Sequence, residues 1–427
     1  MYLSRRRFLH GCSLSLIATL DTRTSGQSAV DSTRDNPVAA PFDHEVEAFM
    51  HARNVPGASL AVVKDRRLVY ARGYGWADRE KQLPATPETL FRIASVSKPL
   101  TAVAVMQLVE RGKLHLDDRA FDIVRLDPLP GQNGKVDPRL KTITVRQLLQ
   151  HTGGWDRDKS FDPMFRAREI ARAAGMPSPA DPRAVIRYML GQPLDFDPGT
   201  RYAYSNFGYC VLGRVIEAVT KTPYEKHLRQ RVLAPMGINR MRIGASLPAG
   251  QVPGETRYYT PDNDTGDSVF DSVPGKVPWP YGGFNLEAMD AHGAWIASAV
   301  DLTRFVVALD DPRHKVLKPD TATLMYAPPP APVSRKPGGE LNDHYYGCGW
   351  LVRPVANTGK ANYWHNGSLP GTATWMVRRW DGLAWAMLFN QRSEDSKLPD
   401  SAIDGALHRA AGQVREWPLH DLFKRYA

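Results

Sequence analysis

Residues 86–102, TPETLFRIASVSKPLTA, hold the only S-x-x-K in the chain, Ser95 followed three positions later by Lys98. Behind them apolar residues recur at Leu100, Val103, Met106, Leu108 and Val109 until Gly112 stops the run, a spacing that predicts a helix from Val96 to Arg111 with a buried face. Ser95 then stands at the first turn of that helix, and Lys98 lies one turn on, close enough for its amine to reach the hydroxyl. A free serine hydroxyl is a poor nucleophile, but an amine kept partly neutral by desolvation can take its proton. The positive end of the helix also favours negative charge developing on the serine oxygen. By itself the tetrapeptide is weak, since one or two copies arise by chance in roughly this length of chain. Its surroundings decide.

Upstream, DHEVEAFMHAR reads as a helix, and GASLAVVKDRRLVYARGYG reads as two strands joined at Lys64-Asp65-Arg66. Downstream, from about 115 to 290, helical patterns broken by turns follow one another: VRQLLQHTGG, DPRAVIRYMLGQ, YSNFGYCVLGRVIEAVTK and PYEKHLRQRVLAPMG, then Pro- and Gly-rich loops through PGKVPWPYGG. Ser298 and Asp301 are spaced as a cap for the helix DLTRFVVALD. Period-two segments return in YYGCGWLVRP, TATWMVRRW and LAWAMLFNQ, before a last helix around SAIDGALHRAAGQV. Strands at both ends with helices between them imply an α+β fold, one sheet with a mostly helical region inserted.

Two further motifs carry chemistry. Tyr204-Ser205-Asn206 is the only Y-x-N; a phenol beside an ammonium is more easily deprotonated, so Tyr204 is a candidate base, and Asn206 can hold Lys98 and a substrate carbonyl. In NYWHNGSLPG, His365-Asn366-Gly367-Ser368 precedes a strand-like run, where glycine lets a substrate approach the strand edge and a backbone N–H can pair with that of Ser95 as an oxyanion hole. His151-Thr152-Gly153 is a second H-x-G, but it lies between helices ahead of Tyr204 and reads as a structural turn. Trp279, Tyr281, Trp364 and Trp375 read as core or loop anchors before they read as cleft walls.

Taken together, TPETLFRIASVSKPLTA, LLQHTGGW, FDPGTRYAYSNFGYCVLGRVIEAVT, LAPMGINRM and HNGSLPG, in that order, make the chain resemble the serine β-lactamase and penicillin-binding superfamily over about residues 40 to 410. The resemblance is strongest to class C β-lactamases, D-alanyl-D-alanine carboxypeptidases and family VIII esterases. It implies an antiparallel sheet flanked by helices beside a mostly helical region, with the site in the groove between. It also implies Ser95 as the acylated nucleophile, Lys98 and Tyr204 sharing proton transfer, Asn206 positioning them, His365 at the third motif's cationic position, and the N–H groups of Ser95 and Ser368 as the oxyanion hole. Asn366 and Gly367 fall where that motif meets substrate. The β-lactamase form of the motif is usually Lys-Thr-Gly; His365 and Asn366 replace its carboxylate-holding pair, a histidine being only partly charged near neutrality and asparagine lacking the hydroxyl. Ester or amide hydrolysis is therefore the expected activity, ahead of β-lactam hydrolysis or a sensor that traps its ligand without turnover.

The rest of the chain narrows the alternatives. With 427 residues and 42% hydrophobic content it can bury a large core. Of the net charge of +10, the first thirty residues supply +3 and the remainder is scattered, which reads as a solvated basic surface and not a nucleic-acid interface. MYLSRRRFLHGCSLSLIATL resembles a twin-arginine export signal, so residues 1–30 are expected to be removed and the protein to be periplasmic or secreted, with 31–40 a flexible linker, 41–415 the hydrolase domain and 416–427 a tail. No other segment approaches eighteen uninterrupted apolar residues, so no membrane span is expected in the mature chain. Cys210 and Cys348 sit in apolar surroundings and are expected to be buried free thiols. G-x-S-x-G, H-E-x-x-H, Cys/His clusters and glycine-rich phosphate loops are all missing from the sequence, and no metal or cofactor is called for. The expected partner is a small ester, amide or peptide.

Overall fold

GASLAVVK and LAWAMLF are apolar at nearly every position, as a strand covered on both faces must be. In a computed structural model of the protein, which describes residues 36–129, 136–311 and 316–426, these two segments pair at the centre of one sheet. The strands are β1 (Gly57–Lys64), β2 (Arg67–Asp78), β3 (Leu83–Pro84), β4 (Tyr345–Tyr346), β5 (Leu351–Val355), β6 (Lys360–Leu369), β7 (Thr372–Arg378) and β8 (Leu383–Phe389). Their order is β3-β2-β1-β8-β7-β6-β5-β4, and every adjacent pair is antiparallel. Ala58 stands opposite Phe389 and Lys64 opposite Leu383, so the two ends of the domain close on each other.

Alternation along these strands splits the core in two. Leu60, Val62, Trp385 and Met387 face one side, where α1 (Ala39–Arg53) and the C-terminal α5 (Ala402–Gln413) pack. Ala61, Val63, Ala386 and Leu388 face the other, larger core. There lie α2 (Ser97–Glu110), α3 (Asn206–Thr220) and α4 (Ala299–Asp310), the last opened by a Ser298–Asp301 capping box. The sequence reads α2 as having one buried face; instead every residue from Ser97 to Leu108 is buried, which makes it a central helix covered all round. Truncating one of its leucines to alanine removes packing worth about 2–5 kcal/mol.

Several boundaries differ from those the sequence suggests. The inserted region is helical in pieces up to about Met236 (Ala120–Val124, Val145–Leu149, Ala167–Ala173, Pro182–Met189, α3 and Tyr224–Leu228). From there to 290 it is loop with two-strand ribbons and short turns, because prolines and glycines interrupt every run. Order begins before residue 41: Val38 is fully buried and Asn36 donates to Val69 O at 3.0 Å. The last residues also pack, Asp421 accepting from Leu68 N at 3.1 Å and Tyr426 O from Arg304 at 3.1 Å. The expected export signal and the first half of the expected linker lie outside the described residues. Cys210 and Cys348 are buried free thiols whose pKa burial pushes up to about 12. Among the described residues no helix is long and apolar enough to cross a membrane.

Candidate active site

The Ser95 turn is set by its predecessor. Ala94 adopts φ +46°, a left-handed conformation that alanine rarely takes, and Ala94–Val96 form a 3-10 turn that runs directly into α2. Two anchors hold the turn from below: Ile93 N donates to Trp295 O at 2.9 Å, and the fully buried Arg92 donates to Pro280 O and Ala245 O at 2.7 Å each. Arg92 also lies 4.2 Å from the Tyr258 ring centroid. Sequence reasoning passed over it, since a buried arginine looks like any other charge in the string.

Lys98 is completely buried, and its Nζ is 3.1 Å from Ser95 Oγ, 2.8 Å from Asn206 Oδ1 and 3.0 Å from His292 O. Burial drives its pKa well below the ordinary lysine value, Arg157 nearby pushes the same way, and Asp162 opposes them. A neutral amine has two protons and one lone pair. With the protons given to the Asn206 and His292 carbonyls, the lone pair is left for the Ser95 hydroxyl.

Asn206 is the first residue of α3, behind the cap Ser205, whose Oγ accepts from Gly208 N at 3.2 Å. Its amide nitrogen donates to Asp162 Oδ2 at 2.6 Å, which fixes the orientation that turns its oxygen toward Lys98. Asp162 was invisible in the sequence as a site residue. It caps the 3-10 turn Pro163–Phe165, accepting from Met164 N at 3.1 Å.

Tyr204 lies with its ring centroid 4.7 Å from Lys98 Nζ. Burial raises the phenol's pKa above its ordinary value, with a hydrogen bond to Ser95 pulling the other way. Of the two groups expected to share proton transfer, burial thus favours the neutral form of Lys98 and the protonated form of Tyr204. The His151 ring packs against Tyr204 at a tilt of 38°, 4.3 Å between centroids. Its Nδ1 accepts from Ser205 N at 3.1 Å and its carbonyl accepts from Ala203 N at 2.9 Å. The HTG segment is a turn, as read, and that turn carries the Tyr204 loop.

The third motif comes in along a free strand edge. β5 pairs with β6 only as far as Trp364, leaving His365–Leu369 unpaired on that side, and the Ala94–Val96 turn packs there. A Cβ on Gly367 would collide with Ile93 O and Thr374 Oγ1 and lie 2.9 Å from Ser95 N, so only glycine lets strand and turn come this close. His365 points inward, 6.4 Å from the Tyr204 ring between centroids, with Nε2 2.9 Å from Tyr346 Oη. Burial and the proximity of Lys98 push its imidazole down to about 3. Burial thus favours the neutral imidazole at the position expected to carry the motif's charge. The Arg157 guanidinium also lies 4.8 Å from the Tyr204 centroid. Asn366 and Ser368 alternate to the opposite side of the strand and are exposed. Ser368 Oγ accepts from Arg392 at 3.4 Å, while the Asn366 side chain is not brought to Ser95.

Of the four aromatics, Trp375 lies in the α1/α5 core with Trp364 packed against that core, and Tyr281 is buried, its hydroxyl accepting from Tyr258 N at 2.8 Å. Trp279 is 37% exposed and does line a cavity.

Comparison with known proteins accords with this arrangement. The family model described as Beta-lactamase matches residues 42–408. The chain belongs to that family. Among solved structures, the octameric penicillin-binding protein homologue from Pyrococcus abyssi superposes with a TM-score of 0.67 at 26% identity, covering 88% of this chain and 78% of that one. D-amino acid amidase from Ochrobactrum anthropi SV3, complexed with L-phenylalanine amide, gives 0.65 at 24% identity over 89% and 98%, a likeness of fold. Penicillin-binding protein 4 of Amycolatopsis lactamdurans is 28% identical over 82% of this chain and 86% of its own. Protein flp of Staphylococcus aureus (strain COL) is 29% identical over 79% of this chain, which spans only 59% of that longer relative. The chain is thus similar to penicillin-binding proteins in sequence and to a D-amino acid amidase in fold.

Proposed function

We propose that the protein is an exported serine hydrolase that cleaves a small ester or amide, of the esterase or D-amino-acid amidase type, through an acyl-Ser95 intermediate. The observation that carries this reading is the fully buried Lys98 amine, 3.1 Å from Ser95 Oγ, with its other two hydrogen-bond directions filled by carbonyls. In acylation, neutral Lys98 takes the Ser95 proton as Oγ adds to the substrate carbonyl carbon. The tetrahedral oxyanion is held by the N–H groups of Ser95 and Ser368, at the meeting of the Ala94–Val96 turn and the free β6 edge. As the C–O or C–N bond breaks, the Tyr204 phenol gives its proton to the leaving atom and regains one from the Lys98 ammonium. Water then adds to the acyl-enzyme, its proton passing to Lys98 and one returning to Ser95 Oγ as the acid departs.

Gly367 allows the close approach, Asn206 aligns Lys98, and His365 acts as a neutral hydrogen-bonding neighbour of Tyr204. With neither lysine nor threonine in the third motif, and with His365 uncharged, a β-lactam carboxylate lacks its usual partners, which places ester and amide turnover ahead of β-lactam turnover. Metal plays no part in this scheme. The twin-arginine sequence supports export.

The test is steady-state turnover of p-nitrophenyl acetate, a D-alanyl peptide amide and nitrocefin. Continued, Ser95-dependent product release from the ester or amide supports the reading. One equivalent bound and held favours a sensor instead, and nitrocefin turnover far above the rest favours a β-lactamase.

A further inference from the structure

A cavity of about 1040 Å³ opens at the edge of the sheet, between β3, the loop 247–257 and the segment 273–281. None of the residues assigned to catalysis lines it. The chain itself divides it from the space near Ser368: Trp279 lines a separate cavity together with Pro370 and Arg392, whereas Val277, Pro278 and Tyr281 line this one.

The walls are held in place by the fold. Leu90 N donates to Gly254 O at 2.8 Å, Thr256 N to Leu90 O at 2.9 Å, and Arg257 N to Ala77 O at 2.8 Å, which clamps the loop 247–257 to the end of β2. Behind Tyr281 and Glu255 stands Tyr258, whose hydroxyl donates to Glu255 Oε1 at 2.8 Å and accepts from Arg92 N at 2.9 Å. The back of the cavity is therefore the same scaffold that carries the Ser95 turn. A space built this way loses little freedom when something enters it.

Its lining is apolar where it meets solvent. Leu83, on the two-residue edge strand β3, leaves 52% of its surface uncovered, and Val273, on the facing segment, leaves 37%. Apolar side chains left open around one concavity mark a place where an apolar partner displaces water. The charged residues of the lining select against a charged one, because each already has a partner. Asp78 pairs with Lys81 Nζ at 3.2 Å, Glu255 also accepts from Val252 N at 3.2 Å, and Arg257 lies 3.4 Å from Glu80. A ligand charge would give up its hydration here and find no free opposite charge.

We infer that this cavity is a second ligand site, which takes an uncharged, mostly apolar small molecule between Leu83 and Val273. Its size stands at the upper end for small-molecule sites, about 300–1,000 Å³, so it admits a fused ring pair or a folded chain.

The test is a fluorescence titration with N-phenyl-1-naphthylamine, an uncharged probe whose emission rises when it leaves water. It should bind saturably, one equivalent per chain, in the micromolar range. The probe 8-anilinonaphthalene-1-sulfonate has the same rings and one negative charge, and should displace it at least tenfold less well than unlabelled N-phenyl-1-naphthylamine competes with itself. Leu83→Glu and Val273→Glu, on opposite walls, should each weaken the neutral probe at least tenfold, while Leu83→Met stays within threefold of the parent. Leu419→Glu, at an apolar side chain 81% exposed and outside the cavity, should leave affinity unchanged. Leu83 and Val273 are both more than a third exposed, and thermal melts check that the variants remain folded. No saturable binding, unchanged affinity in both cavity glutamate variants, or displacement by the sulfonate as strong as by the neutral probe overturns the proposal.

Discussion

Replacing Gly367 by alanine tests whether the β6 edge and the Ser95 turn must touch. The added methyl would meet Ile93 O, Thr374 Oγ1 and Ser95 N, the last at 2.9 Å, whereas ordinary contact needs 3.4–4 Å. None of the three is the far end of a flexible side chain, so strand and turn must part by about 1 Å to relieve the overlap. Overpacking of this kind costs about 1–3 kcal/mol of stability. The larger effect falls on chemistry. A displacement of that size between nucleophile and oxyanion donors costs on the order of 100-fold in rate, equivalent to about 2.7 kcal/mol of transition-state stabilisation. The assay is kcat/KM on an uncharged p-nitrophenyl ester, with urea unfolding measured in parallel. Gly412→Ala is the control, since it lies in α5 with nothing within 4 Å and should leave the rate alone while adding up to about 1 kcal/mol of helix stability. If Gly367→Ala folds normally and works within threefold of the parent, the packed oxyanion edge is not part of the catalyst.

The pH profile of kcat/KM on an uncharged ester should rise as Lys98 loses its proton, well below the ordinary lysine value of 10.5, and fall only above 10 as the Tyr204 phenol ionises. Arg157 disfavours the ammonium and Asp162 favours it, so Arg157→Gln should move the acid limb to higher pH and Asp162→Asn to lower pH; a limb in the ordinary lysine range, or shifts of the same sign, would contradict the assignment. His365→Gln keeps a neutral hydrogen-bonding side chain where the imidazole already sits near 3, so activity should stay within about tenfold and the profile should keep its shape. Loss of a titration near 6.5 in that variant would show that His365 is charged after all. Arg92→Met strands the carbonyls of Ala245 and Pro280 beneath the Ser95 turn and should lower stability by about 1–3 kcal/mol for each in thermal or urea unfolding.

Sequence reasoning reaches those parts of the molecule whose physics is local. The paired central strands, the capped α4 and the helix behind Ser95 each follow from apolar spacing and a start or stop residue. Three motifs, distant along the chain, converge because each has a distinctive pair or triplet of side chains. What it misses depends on burial and on carbonyls. Asp162 matters because an amide nitrogen reaches it, His292 because its main-chain oxygen faces Lys98, and Arg92 because two loops close over it. None of these leaves a trace in residue spacing. The charge states of Tyr204 and His365 are hidden for the same reason: neighbouring charges can be guessed from motifs, but desolvation, the first influence on both groups, appears only once the walls are in place. The region after 236 is loop, as its prolines and glycines suggest, but its path is not legible, since those residues stop helices without saying where the chain goes next.

The account turns most directly on one reaction. Incubation with an alkyl fluorophosphonate, followed by intact mass and peptide mapping, should place a single adduct on Ser95, abolished in Ser95→Ala and formed several orders of magnitude more slowly in Lys98→Ala. An undiminished adduct in Ser95→Ala, or labelling in Lys98→Ala as fast as in the parent, would contradict it.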